Sequence, residues 1–158
     1  MSWLKKLFGK HKPMPTSNID PVMEEMTAIK VAGSDNGVHY TDNVELIKQL
    51  KRDKKYDEAI EILLKSVELT EKESKKANAK PVHEDKYAFL SEGRTTTWGV
   101  APWYYEQLAI IYRKQKRYAE EVSILERYES QPKAPGVGPM KLAERLINAR
   151  ELLANNNA

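Results

Sequence analysis

The side chains that most often carry catalysis or bind metals are sparse in this chain of 158 residues. Its three histidines, His11, His39 and His83, lie far apart, and none has a second histidine at the helical spacing of a zinc site. His83 is followed by Glu84 and Asp85, but consecutive residues on a helix point in different directions. The absence of cysteine excludes disulfides, thiol catalysis and cysteine-based metal centres.

The sequence also lacks the loops that place phosphates or nucleophiles. Gly136 and Gly138 are not followed by the Lys and the Ser or Thr of a phosphate-binding loop, and no serine stands in a nucleophile elbow. Most carboxylates alternate with lysines at helix-pair spacing, which is typical of a solvated helix face. We therefore expect a protein that is not an enzyme and that uses no metal or cofactor.

The positive charge is concentrated at the start of the chain. The formal net charge is +3, while residues 1–12 hold four lysines and no acid, so residues 13–158 sum to −1. Nucleic-acid-binding proteins usually keep their basic surplus on the folded surface. This distribution argues against a nucleic-acid partner, which would need the basic turns at 51–55 and 113–117 to align on one side.

Residues 1–20 are predicted to be a basic amphipathic tail followed by a linker. On a helix of about two turns, Trp3, Leu4, Leu7 and Phe8 would share one face. Such a segment fits docking on a partner or on an anionic membrane surface. Two turns alone are marginal in water, so a frayed terminus is the alternative. Lysines interrupt the apolar stretch, which is unlike a secretory signal, and no apolar run approaches the ~20 residues of a membrane span.

Helices must position these residues, and one helical pattern occurs twice, 62 positions apart. Leu46 stands ten residues before Tyr56, and Leu108 stands ten residues before Tyr118. Each copy predicts two helices joined by a tight basic turn, over residues 42–80 and 102–131. We also expect a short helix over 21–30, an insertion at 81–100 and a C-terminal capping helix over 139–154.

Apolar spacing assigns the buried side of each predicted helix. In the first hairpin the inward residues are Val44, Leu46, Ile47, Leu50, Ala59, Ile60, Leu63, Leu64 and Val67. In the second hairpin and the last helix they are Tyr105, Leu108, Ala109, Tyr112, Val122, Leu125, Tyr128, Leu142, Leu146, Ala149 and Leu153. The residues expected to face water on the last helix are Lys141, Glu144, Arg145 and Glu151. After Leu69 the sequence is polar all round, which predicts that this helix projects into solvent.

The second copy carries a family likeness. Its sequence Tyr105-Glu-Gln-Leu108-Ala109-Ile-Ile-Tyr112-Arg-Lys-Gln-Lys-Arg-Tyr118 resembles the first half of a tetratricopeptide repeat. That family places an aromatic, a Leu, a small residue and a Tyr along its first helix, and another aromatic after the turn. The first copy is similar, with its matching positions at Leu46, Leu50, Tyr56, Ala59, Ile60 and Leu63.

The chain also departs from the family's pattern. Ile47, Glu121 and Tyr128 stand where small residues are usual, and the copies are 62 positions apart instead of about 34. The resemblance implies an all-α fold, a TPR-like α–α superhelix fragment of two helical hairpins plus a C-terminal capping helix. Such repeats usually need about three units to bury a continuous core, so we expect the insertion and the last helix, or else a homodimer, to supply the missing surface.

In the family that this chain resembles, first-helix residues outside the core line a concave groove. Carried over by position, this surface, called here the first-helix face, consists of Val44, Lys48, Lys51, Trp103, Glu106, Ile110 and Arg113. Trp103 and Ile110 offer apolar contact, and the cations could bind a carboxylate. The alternative for Trp103 is a core position against the insertion, on Tyr87 or Phe89.

The resemblance implies a cytoplasmic adaptor that binds another protein or peptide by shape and a few buried anchors. The alternative is a peripheral protein that the basic tail anchors at a membrane surface, where each basic residue contributes roughly 1 kcal/mol. The two functions are compatible, because the tail could localise the protein while the hairpins bind a partner.

Overall fold

The computed structural model describes residues 20–79 and 97–157. The predicted all-α class is confirmed for this part of the chain, which contains helices and one very short β-hairpin. The helices are α1 Pro21–Ala32, α2 Val44–Arg52, α3 Tyr56–Asn78, α4 Pro102–Lys114, α5 Tyr118–Glu129 and α6 Val137–Asn157. Strands β1 Ser34–Asp35 and β2 Val38–His39 form the β-hairpin, and a 3-10 turn, Tyr40–Asn43, leads into α2. Residues 1–19, within the predicted tail and linker of 1–20, and residues 80–96, which include most of the predicted insertion of 81–100, lie outside the described residues.

Local signals explain how the chain reaches α2. Asp20 accepts a hydrogen bond from the Val22 N–H at 3.0 Å, and Pro21 occupies the first helical position. Asn36 and Gly37 join the two strands, both with positive φ, as a two-residue β-hairpin requires. Asn-Gly is the strongest short-range sequence signal for such a turn.

The two helical hairpins close with the same turn. In the first, the Lys55 N–H donates to the Leu50 carbonyl at 2.9 Å, and the Lys54 N–H donates to the Lys51 carbonyl at 3.2 Å. The second hairpin repeats both bonds 62 positions later, at 2.8 Å and 3.0 Å. This is a Schellman motif, and its left-handed residue is Lys54 (φ 58°) or Lys116 (φ 59°). The two turns, which are 62 positions apart in the sequence, therefore have the same backbone geometry.

α3 is more buried than its sequence indicates. The helix has 23 residues, and Thr70, Glu73 and Ser74 in its second half are buried. The prediction that this end projects into solvent was wrong, because α1 and the segment 97–101 pack against it. The Ser74 hydroxyl donates to the Trp98 carbonyl at 2.6 Å, and the Thr70 hydroxyl accepts from the Ala101 N–H at 2.9 Å. Backbone groups thus satisfy side chains that water would otherwise solvate.

The segment 97–101 is fixed on both sides. The Asn78 side chain donates to the Trp98 carbonyl at 2.8 Å and accepts from the Trp98 N–H at 2.9 Å. On the other side, the Val100 N–H donates to the Pro132 carbonyl at 3.0 Å. Gly99 approaches the backbone so closely that an added Cβ would lie 2.0 Å from the nitrogen of Ala134. A larger residue at this position would displace the segment.

The core lies between the hairpins, and successive helices pack against each other. α3 contacts α2 and α4, α4 contacts α5, and α6 contacts both α4 and α5. Tyr105 and Tyr128 are fully buried at the centre, and their rings meet edge to face with centroids 5.1 Å apart. Most of the predicted inward residues are buried or half-buried.

Leu46 is the exception among the predicted core residues. Its side chain is 49% exposed, whereas Leu108, its counterpart in the second copy, is fully buried. The difference follows from position, because α4 lies between α3 and α6, while α2 packs mainly on α3 and the 3-10 turn. The pattern that marks the repeat therefore identifies equivalent backbone positions and does not give them equal burial.

α6 covers the second hairpin. Its buried residues are Leu142, Leu146 and Ala149. The helix begins at Val137, two residues before the predicted start at Pro139. Arg145, expected to face water, has a side chain only 23% exposed, because its Nε donates to the buried Glu121 at 3.2 Å.

Candidate functional site

α4 presents two different faces. Its buried residues are Tyr104, Tyr105, Leu108, Ala109, Ile111 and Tyr112. The four first-helix-face residues of α4, Trp103, Glu106, Ile110 and Arg113, are all half-buried. Their spacing of three, four and three residues places them in one stripe along the helix. This stripe combines two apolar and two charged side chains on the helix that lies between the first hairpin and α6.

Trp103 is anchored at one end of the stripe. Its ring packs against the core and meets the Tyr104 ring edge to face, with centroids 5.1 Å apart. The indole is therefore partly core and partly available at the surface. Tyr87 and Phe89, the residues expected to cover it in the alternative interpretation, lie outside the described residues.

Arg113, at the other end, is held by a buried ion pair. Its Nε donates to Glu121 Oε2 at 2.9 Å, and the Glu121 side chain is fully buried while that of Arg113 is 36% exposed. Arg145 of α6 donates to the other oxygen of the same carboxylate. Arg113 Nη2 is buried and has no hydrogen-bond acceptor among residues 20–79 and 97–157. Glu121 therefore orients two arginines from two different helices.

A cleft of about 260 Å³ opens beside these arginines, between α4 and α6. Its lining residues are Glu106, Arg113, Lys141, Glu144, Arg145 and Asn148. Two of them belong to the first-helix face, and the others come from α6. The face predicted from α2 and α4 therefore continues onto the last helix.

The α2 part of the face is less uniform. Val44 packs on the core, and the exposed Lys48 pairs with Glu45 at 2.7 Å. Lys51 is half-buried and its Nζ donates to the side chain of Gln107 on α4. Burial, followed by the nearby cation of Lys114, lowers the pKa of Lys51. Lys51 thus connects the two halves of the face.

Sequence reasoning missed the carboxylates that hold the helices around this face, of which Glu121 is fully buried and Glu71 is half-buried. Glu71 on α3 accepts hydrogen bonds from the Tyr105 hydroxyl and from Nε and Nη2 of Arg127, each at 2.8 Å. Burial and then the hydrogen bond to Glu71 raise the pKa of the Tyr105 hydroxyl. The only sequence signal was the unusual Glu at position 121, where the family has a small residue.

A third carboxylate, Glu73, connects α3 to the residues before α2. It accepts the Tyr40 hydroxyl at 2.6 Å and contacts His39 Nε2 at 2.9 Å. An added Cβ on Gly33 would lie 2.7 Å from that ring nitrogen, so the close approach needs glycine. Burial and the Glu73 hydrogen bond raise the pKa of Tyr40. These bonds lie within the fold, which gives the cluster a structural role.

A larger cleft, of about 750 Å³, lies between the end of α3 and the segment after α5. Its lining includes Glu71, Lys75, Asn78 and Pro132. Within the described ranges, no three His, Asp or Glu side chains are close enough together to hold a metal ion. No helix that the structure describes is long and apolar enough to cross a bilayer. The predicted membrane-contact residues Trp3, Leu4, Leu7 and Phe8 lie outside the described residues.

Comparison with known proteins gives no assignment. No protein-family model, no curated protein and no solved structure matches this chain. The tetratricopeptide resemblance remains a prediction based on the residues that carry it.

Proposed function

We propose that this chain is a helical interaction module, an adaptor that binds another protein or a peptide through the first-helix face. The observation that supports it best is the α4 stripe, where Trp103 and Ile110 are half-buried between Glu106 and Arg113. Apolar side chains beside fixed charges are typical of binding surfaces, because the apolar groups provide affinity and the charges provide orientation.

The rigidity of the stripe also favours binding. Trp103 is fixed by Tyr104, Arg113 by Glu121, and Lys51 by Gln107. Side chains that are already ordered lose less conformational entropy when a partner arrives. The cytoplasmic location belongs to the same proposal.

Site-specific photo-crosslinking tests the proposal. Because the sequence has no cysteine, a thiol-reactive label attaches only to the cysteine that is introduced. A benzophenone placed on Glu106→Cys should capture a partner from cell extract. The same label on Glu120→Cys, at an exposed position of α5, should not capture it. Adding Ile110→Asp to the Glu106→Cys chain should remove the product, provided that circular dichroism shows an intact fold. Equal capture at both positions would contradict a role for the first-helix face.

A further inference from the structure

The basic turns of the two helical hairpins lie side by side. Lys114 Nζ, at the end of α4, lies 5.4 Å from the centroid of the Tyr56 ring, at the start of α3. Lys51, one residue before the end of α2, donates to Gln107 of α4. The alignment of residues 51–55 with 113–117, which the sequence left open, is therefore present. This surface is called here the turn edge.

Cations at the turn edge outnumber their partners. Five of them form no ion pair with any residue that the structure describes: Lys51, Arg52, Lys54, Lys114 and Lys116. The acidic groups nearby are partly engaged, since Glu58 pairs with Lys55 and Glu120 with Arg117. Unpaired cations crowded on one edge repel each other, and an anionic ligand would relieve that repulsion.

The backbone gives an independent reason to assign a role to two of these lysines. Lys54 and Lys116 both occupy the left-handed position of a Schellman turn, where glycine is usual and another residue costs about 1 kcal/mol. Both side chains are exposed and make no ion pair within the described ranges. The same unfavourable choice at both equivalent positions suggests that the cations themselves are needed.

We propose that the turn edge is a docking surface for an anionic lipid bilayer. Its exposed cations form an edge of the fold, and the chain carries four more lysines in residues 1–12, so two basic segments could engage one membrane. Tyr56 and Tyr118, the half-buried first residues of α3 and α5, are amphipathic residues of the kind found at membrane interfaces.

A bilayer fits the charge pattern better than a nucleic acid does. Asp53 and Asp57 are interspersed with the cations of the first turn, and a continuous track of phosphates would meet them directly. Lipid headgroups can rearrange around such acids. The slightly negative sum of residues 13–158 also disfavours a polyanion that must wrap the folded surface.

Vesicle co-sedimentation of the full chain tests this proposal, with phosphatidylcholine vesicles that contain or lack phosphatidylserine. Replacing both turn lysines, Lys54→Gln with Lys116→Gln, should weaken binding to the anionic vesicles by roughly 25-fold, since each basic residue contributes about 1 kcal/mol. The matched control replaces two exposed lysines elsewhere, Lys30→Gln with Lys72→Gln, and should change binding by about twofold or less. Thermal melts should show that all variants remain folded.

Three outcomes would overturn the proposal. Equal weakening by the two lysine pairs would show that only net charge matters. Loss of binding with Leu7→Asp, but not with the turn variant, would leave the tail as the membrane contact and exclude the turn edge. Binding to a single-stranded oligonucleotide but not to vesicles, with the same dependence on Lys54 and Lys116, would reassign the surface to nucleic acid.

Discussion

At the residue scale, Glu121 shows how one position can be filled in two ways. It lies 62 positions after Ala59, and both side chains are completely buried. A small residue lets two helices approach closely, whereas a buried carboxylate needs partners that offset its loss of hydration. Arg113 and Arg145 provide them, at 2.9 Å and 3.2 Å. The ion pairs connect α4, α5 and α6, and the cleft beside the first-helix face lies between α4 and α6.

Glu121→Ala, which copies the first hairpin, should destabilise the protein. The change leaves two part-buried arginines without their acceptor, and we expect the free energy of unfolding to fall by about 2–3 kcal/mol. Urea denaturation followed by circular dichroism measures this as a lower midpoint.

Glu120→Ala is the matched control for that measurement. Its carboxylate is exposed and pairs with Arg117 three residues away, so the loss should stay within about 0.5 kcal/mol. Equal midpoints for the two variants would mean that the buried ion pairs contribute no net stability.

Sequence reasoning found the stripe of the candidate site but not what holds it. Trp103, Ile110 and Arg113 follow by position from the resemblance to the tetratricopeptide family. Burial of Glu121 does not, because charged residues are mostly exposed and an exception depends on arginines 8 and 24 positions away. Glu71 and Glu73 were missed for the same reason, since their partners come from other helices or from the turn before α2.

At the element scale, residues near the helix ends predicted where helices begin, but the sequence did not predict which helix faces other segments cover. α3, α4 and α5 begin at Tyr56, Pro102 and Tyr118, where the turns and the proline place them, since helix ends depend on nearby residues. The second half of α3 reads as solvent-exposed, yet α1 and the segment 97–101 cover it. A polar helix face is compatible with burial when backbone groups of another segment satisfy it, and periodicity does not report this.

Most substitutions destabilise a protein, but glycine in place of either left-handed turn lysine should stabilise this one. Lys54→Gly should raise the free energy of unfolding by about 0.5–1 kcal/mol, because glycine adopts φ near 58° without steric cost. Lys116→Gly should do the same in the second hairpin. Urea denaturation measures both changes.

The neighbouring residue supplies the control for the glycine substitutions. Lys55 has a φ of −83°, so Lys55→Gly adds freedom to the unfolded chain, loses the exposed ion pair with Glu58, and should destabilise by about 0.5–1 kcal/mol. If Lys54→Gly also destabilised, contacts of the lysine side chain would outweigh the backbone effect. The same glycine variants should bind anionic vesicles more weakly while being more stable.

At the scale of the whole molecule, buried tyrosines connect separate parts of the core by hydrogen bonds. Tyr40, Tyr104, Tyr105, Tyr112 and Tyr128 are all buried, and three of their hydroxyls reach across the fold. Tyr40 donates to Glu73, Tyr105 to Glu71, and Tyr104 to the Tyr40 carbonyl at 3.1 Å. These bonds connect α3, α4 and the turn before α2. Each needs a protonated tyrosine hydroxyl as its donor, so the packing beneath the first-helix face depends on neutral tyrosines.

Alkaline pH should therefore unfold this protein cooperatively. Burial, with the nearby carboxylates of Asp42 and Glu73, raises the pKa of Tyr104 to about 12, and tyrosine in an unfolded chain ionises near pH 10. Below about pH 10 the hydroxyl is protonated in both states and its contribution to stability is complete. Between about pH 10 and 12 the unfolded chain releases its protons first, so stability falls as pH rises. Urea midpoints measured across this range, with tyrosinate absorbance as a second signal, should show ionisation and unfolding together.

In Tyr104→Phe one ionisable group is gone, so the midpoint should be lower near neutral pH but fall less steeply above pH 10. A slope identical to that of the parent chain would show that Tyr104 is not among the groups that control alkaline unfolding.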